Sequence, residues 1–186
     1  MSEEIQLGGG AMTDGVVRVG DTVRRPPRYA TQLMRDVLVH LERAGFDAAP
    51  RWLGFDEQRL LRRYHYTFGD DVICHGDFGP WNIVWGNGLP FAVIDFDNVY
   101  RGDAADDVAY ALRMFISYGF ATDAPTELVR RTAAALQAYG ADFDVAAILA
   151  REYDLAEQRC RQNGWDRQLA KLPKERAWLA ANQGLF

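Results

Sequence analysis

Apolar positions along this chain fall first into short alternating runs and later into long helical stripes. Ile5 to Leu7, Val16 to Val19 and Thr22 to Arg25 read as strands, the last two around a Gly20-Asp21 turn, and predict a small antiparallel sheet. Pro26 and Pro27 end it. Tyr29 to Ala44 then sets Leu33, Val37, Leu38 and Leu41 at helical spacing, with Gly45 as the stop, which predicts a helix packed on that sheet. Arg51 to Phe55 reads as a further strand and Glu57 to Tyr66 as a short helix, before Asp71 to Cys74 leads into a polar loop. Asn82 to Trp85 and Phe91 to Asp95 flank Gly86-Asn87-Gly88, residues that supply the positive φ angles of a tight hairpin turn.

From Asp103 onward the period is helical. Asp103 suits an N-cap, Asp106 and Asp107 suit the positive end of the helix dipole, and Val108, Leu112, Phe115 and Ile116 share a face. Thr126 to Tyr139 follows Pro125 and stops at Gly140. Asp144 to Arg161 presents Val145, Leu149, Ala156 and Cys160 on one side, and Asp166 to Ala181 is interrupted by Pro173. The layout is α+β: a small β-rich N-terminal part, a largely helical C-terminal part, and a polar hairpin between them.

Composition narrows the function classes. At 186 residues, 48% hydrophobic with 12% aromatics, the chain can bury a core and is not disordered. A net charge of −5 gives no basic footprint for nucleic acid. Cys74 and Cys160 are too few for a disulfide framework or a thiolate zinc site, which fits a reducing cytoplasm. Met1-Ser2-Glu3-Glu4 lacks an apolar leader, and no apolar run approaches the ~20 residues that span a bilayer, so a cytoplasmic protein with no membrane partner is expected.

The chemistry concentrates in His75-Gly76-Asp77-Phe78-Gly79-Pro80-Trp81-Asn82 and Ile94-Asp95-Phe96-Asp97. Phosphoryl transfer asks a protein to align an acceptor hydroxyl and to neutralise phosphate charge; an Asp base, an Asn and a second Asp around magnesium suffice. Asp77, Asn82 and Asp95 fit those three roles. Singly, each has a plain alternative: a loop carboxylate capping a turn, a turn-forming Asn, a strand-end carboxylate. Asp95 ends the apolar run Phe91-Ala92-Val93-Ile94, where an unpaired charge is costly without a cation. If that strand continues, Asp97 faces the same way. His75 has no neighbouring nucleophile and no second His at ligand spacing, so it reads as a residue that holds the loop, grouped with Asp77 in the catalytic set.

With Asp107-Val108-Ala109-Tyr110-Ala111, these motifs resemble the aminoglycoside phosphotransferase and choline kinase family. The resemblance implies a protein-kinase-like fold: a reduced β-rich N-terminal lobe over residues 1–58 and a mainly helical C-terminal lobe over 59–186 that carries the catalytic-loop hairpin. It implies Asp77 as catalytic base, Asn82 and Asp95 as Mg2+ ligands, Asp107 as the carboxylate that fastens the catalytic loop, and ATP or GTP as donor to a hydroxyl on a small molecule, an aminoglycoside or another amine-bearing metabolite. Gly8, Gly9 and Gly10 correspond to the nucleotide loop. The family places a Lys on its third strand; Thr22-Val23-Arg24-Arg25 offers only arginines, and Arg25 is the candidate for that nucleotide contact, with a solvated strand-end charge as its alternative.

A span is also missing. In the resembled family a strand, the adenine-binding hinge and much of a long helix separate the segments like Arg51 to Gln58 and Arg59 to Phe68, which here adjoin. That opens a second reading, a catalytically degenerate binding or partner protein, and predicts an exposed apolar surface that favours a homodimer. A third, a DxD glycosyltransferase or aspartyl-phosphate phosphatase built on Asp95 and Asp97, leaves His75, Asp77 and Asn82 unexplained.

Overall fold

The computed structural model describes residues 4–7, 15–26, 31–54 and 72–186. Strands β1 (Glu4–Gln6), β2 (Val17–Val19) and β3 (Thr22–Arg24) form an antiparallel sheet in that order, with Glu4 opposite Val19 and Val17 opposite Arg24. It is too narrow to bury a face: Ile5 is 51% and Val23 52% exposed. Helix α1 (Thr31–Arg43) therefore finds its partner elsewhere, which corrects the expectation that it packs on this sheet. Its buried Met34 and Leu38 join Phe96 and Val99 in one core cluster, ringed by Trp52, Ile73 and Val93. Residues 51–54 form no strand; Trp52 contributes to that cluster instead. The glycine run Gly8 to Gly10 and the helix predicted over Glu57 to Tyr66 lie outside the described residues.

Strand β4 (Val72–Cys74) pairs antiparallel with β7 (Tyr100–Gly102), Cys74 opposite Tyr100. Between them a 3-10 turn over Pro80–Asn82 leads into the hairpin β5 (Ile83–Gly86) and β6 (Leu89–Val93). Asn87 (φ 52°) and Gly88 (φ 78°) close it with the two positive φ angles the turn demands. Strand β6 stops earlier than predicted: Asp95 takes a left-handed conformation (φ 65°), and a second 3-10 turn, Phe96–Asn98, buries Phe96 and Asp97.

Five helices follow: α2 (Ala104–Ile116), α3 (Pro125–Tyr139), α4 (Val145–Asn163), α5 (Asp166–Leu169) and α6 (Leu172–Asn182). A capping box starts α2, in which Asp103 accepts from the backbone at the first turn while Asp106 bonds the Asp103 N–H. Asp144 caps α4, and Gly140 and Gly164 terminate α3 and α4 in left-handed conformations. Pro173 does not break a helix. It sits in the first turn of α6, where no intrahelical N–H is needed, and the chain bends before it. Val108, Leu112 and Ile116 of α2 meet Leu128, Leu149, Tyr153, Ala156 and Leu172 in the larger core, each fully buried apolar side chain contributing roughly 1.5–3 kcal/mol. Phe115, expected on the same stripe, is 43% exposed. Among the described residues no helix is long and apolar enough to cross a membrane.

Candidate active site

The polar loop after β4 is fastened from two sides. From α2, the Asp107 carboxylate accepts the backbone N–H of His75 and that of Gly76, the latter at 3.0 Å. From within, His75 links the loop to the end of β6: Nδ1 accepts the Asp77 N–H at 3.3 Å, and Nε2 lies 3.0 Å from the Ile94 carbonyl. Those partners assign the ring proton to Nε2. The imidazole is buried and packs against Phe96 and Phe78, with ring centroids 4.7 and 5.8 Å away. With both nitrogens committed to backbone, His75 shapes the loop.

Asp77 stands at the loop's tip. Its Oδ1 accepts from the Tyr110 hydroxyl at 2.5 Å; its Oδ2 accepts from Asn82 Nδ2 at 3.0 Å and from Trp81 Nε1 at 3.3 Å. Asn82, 4% exposed, also donates Nδ2 to the Asp77 carbonyl at 2.8 Å, while its own carbonyl accepts the Ile94 N–H at 2.9 Å. The 3-10 turn makes this possible, because it folds residue 82 back over residue 77. Asp77 and Asn82 thus touch directly, and Asp95 follows a residue bonded to both His75 and Asn82.

The Asp95 carboxylate itself turns toward Arg25. Arg25 Nη1 lies 3.2 Å from Asp95 Oδ1 and 2.6 Å from Asp97 Oδ1. Asp97 does converge with Asp95, through a turn and not through a continuing strand. Burial works to lower the Arg25 pKa, but Asp97 and then Asp95 outweigh it and hold the guanidinium above its ordinary value. Asp97 is 6% exposed, and its Oδ2 has no hydrogen-bond partner among the described residues. Asn82, Asp95 and Asp97 each carry hard oxygen donors: Asn82 Oδ1 beside an Nδ2 that serves Asp77, the Asp95 carboxylate and the unpartnered Asp97 Oδ2, with Arg25 on Oδ1 of both carboxylates. That donor set fits magnesium, which commonly takes one or two protein ligands and completes its shell with phosphate and water. Among the described residues no group of three or more His, Cys, Asp or Glu side chains forms a closed metal cage.

Behind Tyr110 lies a charge network that hydrophobic spacing does not disclose. The Arg159 guanidinium stacks 5.6 Å from the Tyr110 ring centre and holds Glu152 at 2.7 and 2.9 Å. Glu152 also meets Arg113 Nη1 at 3.0 Å, and Arg113 Nε meets Glu175 at 2.8 Å; all three are buried. Burial, then the bond to Asp77 and its charge, push the Tyr110 hydroxyl far above the ordinary tyrosine range. Tyr110 lies off the apolar stripe of α2, and its place in the Asp107 to Ala111 motif alone assigns it no role. The available signal was its place three residues after Asp107, on the same helix face.

The described residues also bound a cavity of about 960 Å³ between α1, β4, α2 and α3, walled by Leu33, Val37, Phe78, Phe96 and Leu112. It reaches the back of His75 and Asp107 but is not lined by Asp77, Asn82 or Asp95. The polar cluster, not this apolar space, is where charge could be handled.

Comparison with known proteins gives the chain's family. The chain is 30% identical over 147 residues to the trifolitoxin immunity protein of Rhizobium leguminosarum bv. trifolii, a match covering 52% of this chain and 56% of the relative. It spans about half the length of that relative. Because 147 residues exceed 52% of a 186-residue chain, the relative carries residues within the matched span that this chain lacks. No solved structure matches the chain. The Phosphotransferase enzyme family (APH) matches residues 21–149, a stretch that holds Arg25, the loop from His75 to Asn82, the 3-10 turns Pro80–Asn82 and Phe96–Asn98, and α2, and the chain belongs to that family.

Proposed function

We propose that this chain moves the γ-phosphoryl group of a nucleoside triphosphate, ATP or GTP, to a hydroxyl of a small molecule, on a protein-kinase-like fold with a reduced N-terminal lobe. One observation carries the reading: Asn82 bonds both the carbonyl and the carboxylate of Asp77 while its backbone, with His75, holds the residue before Asp95. A base and two oxygen donors are thereby assembled on one tied pair of loops, as phosphoryl transfer requires. Asp77 takes the proton of the acceptor hydroxyl as that oxygen bonds to the γ-phosphorus. The bond from phosphorus to its bridging oxygen breaks, and the nucleoside diphosphate leaves with the electron pair. Asn82 and Asp95 would hold magnesium, which when bound neutralises charge on the phosphates. Arg25 is placed to turn its guanidinium from Asp95 and Asp97 to a phosphate.

The acidic residues of the C-terminal helices give an amine-bearing acceptor little support. Glu152 is buried between two arginines, Asp154 and Glu157 pair with Arg176 and Arg161, and Asp144 caps α4. These carboxylates are already neutralised or committed, so a polycationic acceptor gains little from them. The alternative, a non-catalytic binding or partner protein, is favoured by the span that the chain lacks relative to the immunity protein. Titration of Mg-ATP and Mg-GTP by calorimetry, with turnover assays, separates the two: binding lost in Asp95→Ala and turnover lost in Asp77→Ala support the phosphotransferase, whereas binding without turnover in the unaltered protein favours the partner.

A further inference from the structure

We infer that Tyr110 is a positioning residue for Asp77, holding one carboxylate oxygen so that the other faces an incoming hydroxyl. The inference rests on the phosphotransferase reading. Asp107 and Tyr110 lie three residues apart on one face of α2. The first fixes the loop's backbone through the N–H groups of His75 and Gly76; the second, one turn on, fixes the carboxylate at the loop's tip through Oδ1 at 2.5 Å. A single rigid helix therefore sets both the position of Asp77 and the rotation of its side chain.

The other oxygen is held less tightly on its solvent side. Oδ2 accepts from the buried Asn82 and from Trp81, and the Trp81 contact is the longest of the three at 3.3 Å, made by an indole that is 55% exposed. A hydroxyl arriving from solvent replaces the indole N–H on Oδ2, where the proton is then accepted, while Tyr110 keeps Oδ1 and Asn82 keeps the inner lone pair. Tyr110 cannot swing away easily. Arg159 stacks on its ring and is itself held by Glu152, whose second partner, Arg113, is anchored by Glu175. Because burial and Asp77 both disfavour its ionised form, Tyr110 stays a donor throughout the neutral range and carries no proton of the reaction.

Tyr110→Phe keeps the ring and the Arg159 stack and deletes the donor. With Mg-ATP as substrate and water as acceptor, kcat should fall about 10- to 100-fold with KM for Mg-ATP held, the cost of a misplaced reacting group. The fall in kcat with KM held is the readout that a purely structural role would not give, and proton NMR reads the bond itself: a downfield hydroxyl resonance in the unaltered protein, absent in Tyr110→Phe and displaced in Asp77→Asn. Unchanged kcat in Tyr110→Phe, or a hydroxyl resonance indifferent to Asp77→Asn, overturns the inference. Failure of the underlying reading looks different: the unaltered protein then shows no turnover, or turnover survives Asp77→Ala, and the positioning role falls with it.

Discussion

Gly76 and Asn98 meet backbone against backbone: a Cβ built on Gly76 would lie 2.3 Å from the Asn98 carbonyl oxygen. Gly76 also has φ 78°, in the left-handed region. The loop from His75 to Asn82 can therefore lie against the turn that follows Asp95 only because residue 76 has no side chain. Gly76→Ala should cost more than about 2 kcal/mol, combining left-handed strain with a clash that neither backbone can relieve cheaply. Urea unfolding measures it, and a loss below about 1 kcal/mol would mean the two turns do not pack this closely.

Asp107 serves two N–H donors with two oxygens. Asp107→Asn replaces one acceptor with an amide donor, so that His75 or Gly76 faces N–H against N–H. The expected cost is about 1–3 kcal/mol, the penalty for a buried donor left unsatisfied. Amide hydrogen exchange should show the loss locally, as faster exchange at His75 and Gly76 than elsewhere. Uniform acceleration across α2 and α4 would assign Asp107 a global role instead.

Much of this site was legible in the sequence because its residues are close in the chain. The Gly86-Asn87-Gly88 turn, the Asp103 cap and the Asp77-to-Asn82 spacing are local signals, and local geometry decides them. What was not legible depends on distant partners. Strand β7 is only Tyr100–Gly102, with no alternation to read, and exists because β4 pairs with it. The apolar face of α1 was visible, but nothing local says that it meets Phe96 and Val99 and not a sheet too thin to cover it. Nothing near Glu152 in the chain marks it as buried, since only folding brings Arg113, 39 residues away, beside it.

That network gives a sharp prediction about charge. Arg113→Met leaves Glu152 and Glu175 buried with a partner removed, and should destabilise by about 3–5 kcal/mol. Replacing all three, Arg113→Met with Glu152→Leu and Glu175→Leu, removes the stranded charges with the cation and should recover part of that loss. A triple variant no more stable than Arg113→Met alone would show that Arg159, which also depends on Glu152, dominates the energetics.

Cys74 ties stability to alkaline pH. Cys74 is 1% exposed, and its thiol donates to the Asp103 carbonyl at 3.3 Å. Burial first, then the charges of Asp107 and Asp106, push it from 9.0 up to about 11. A thiol whose folded pKa exceeds its unfolded one favours the fold while protonated. The contribution is fully present below pH 9 and is lost as pH rises from 9 toward 11. The stability difference between the unaltered protein and Cys74→Ala should therefore shrink across that window and stay constant from pH 6 to 8. Urea midpoints taken at each pH read this directly, with subtraction of the variant cancelling the lysines and the tyrosines that do not interact with Cys74, and with Cys74→Ala measured in a Tyr100→Phe background to remove the one that does. A difference that does not change between pH 9 and 11 would place the thiolate in contact with solvent or a cation, and the Asp103 carbonyl would then not be its partner.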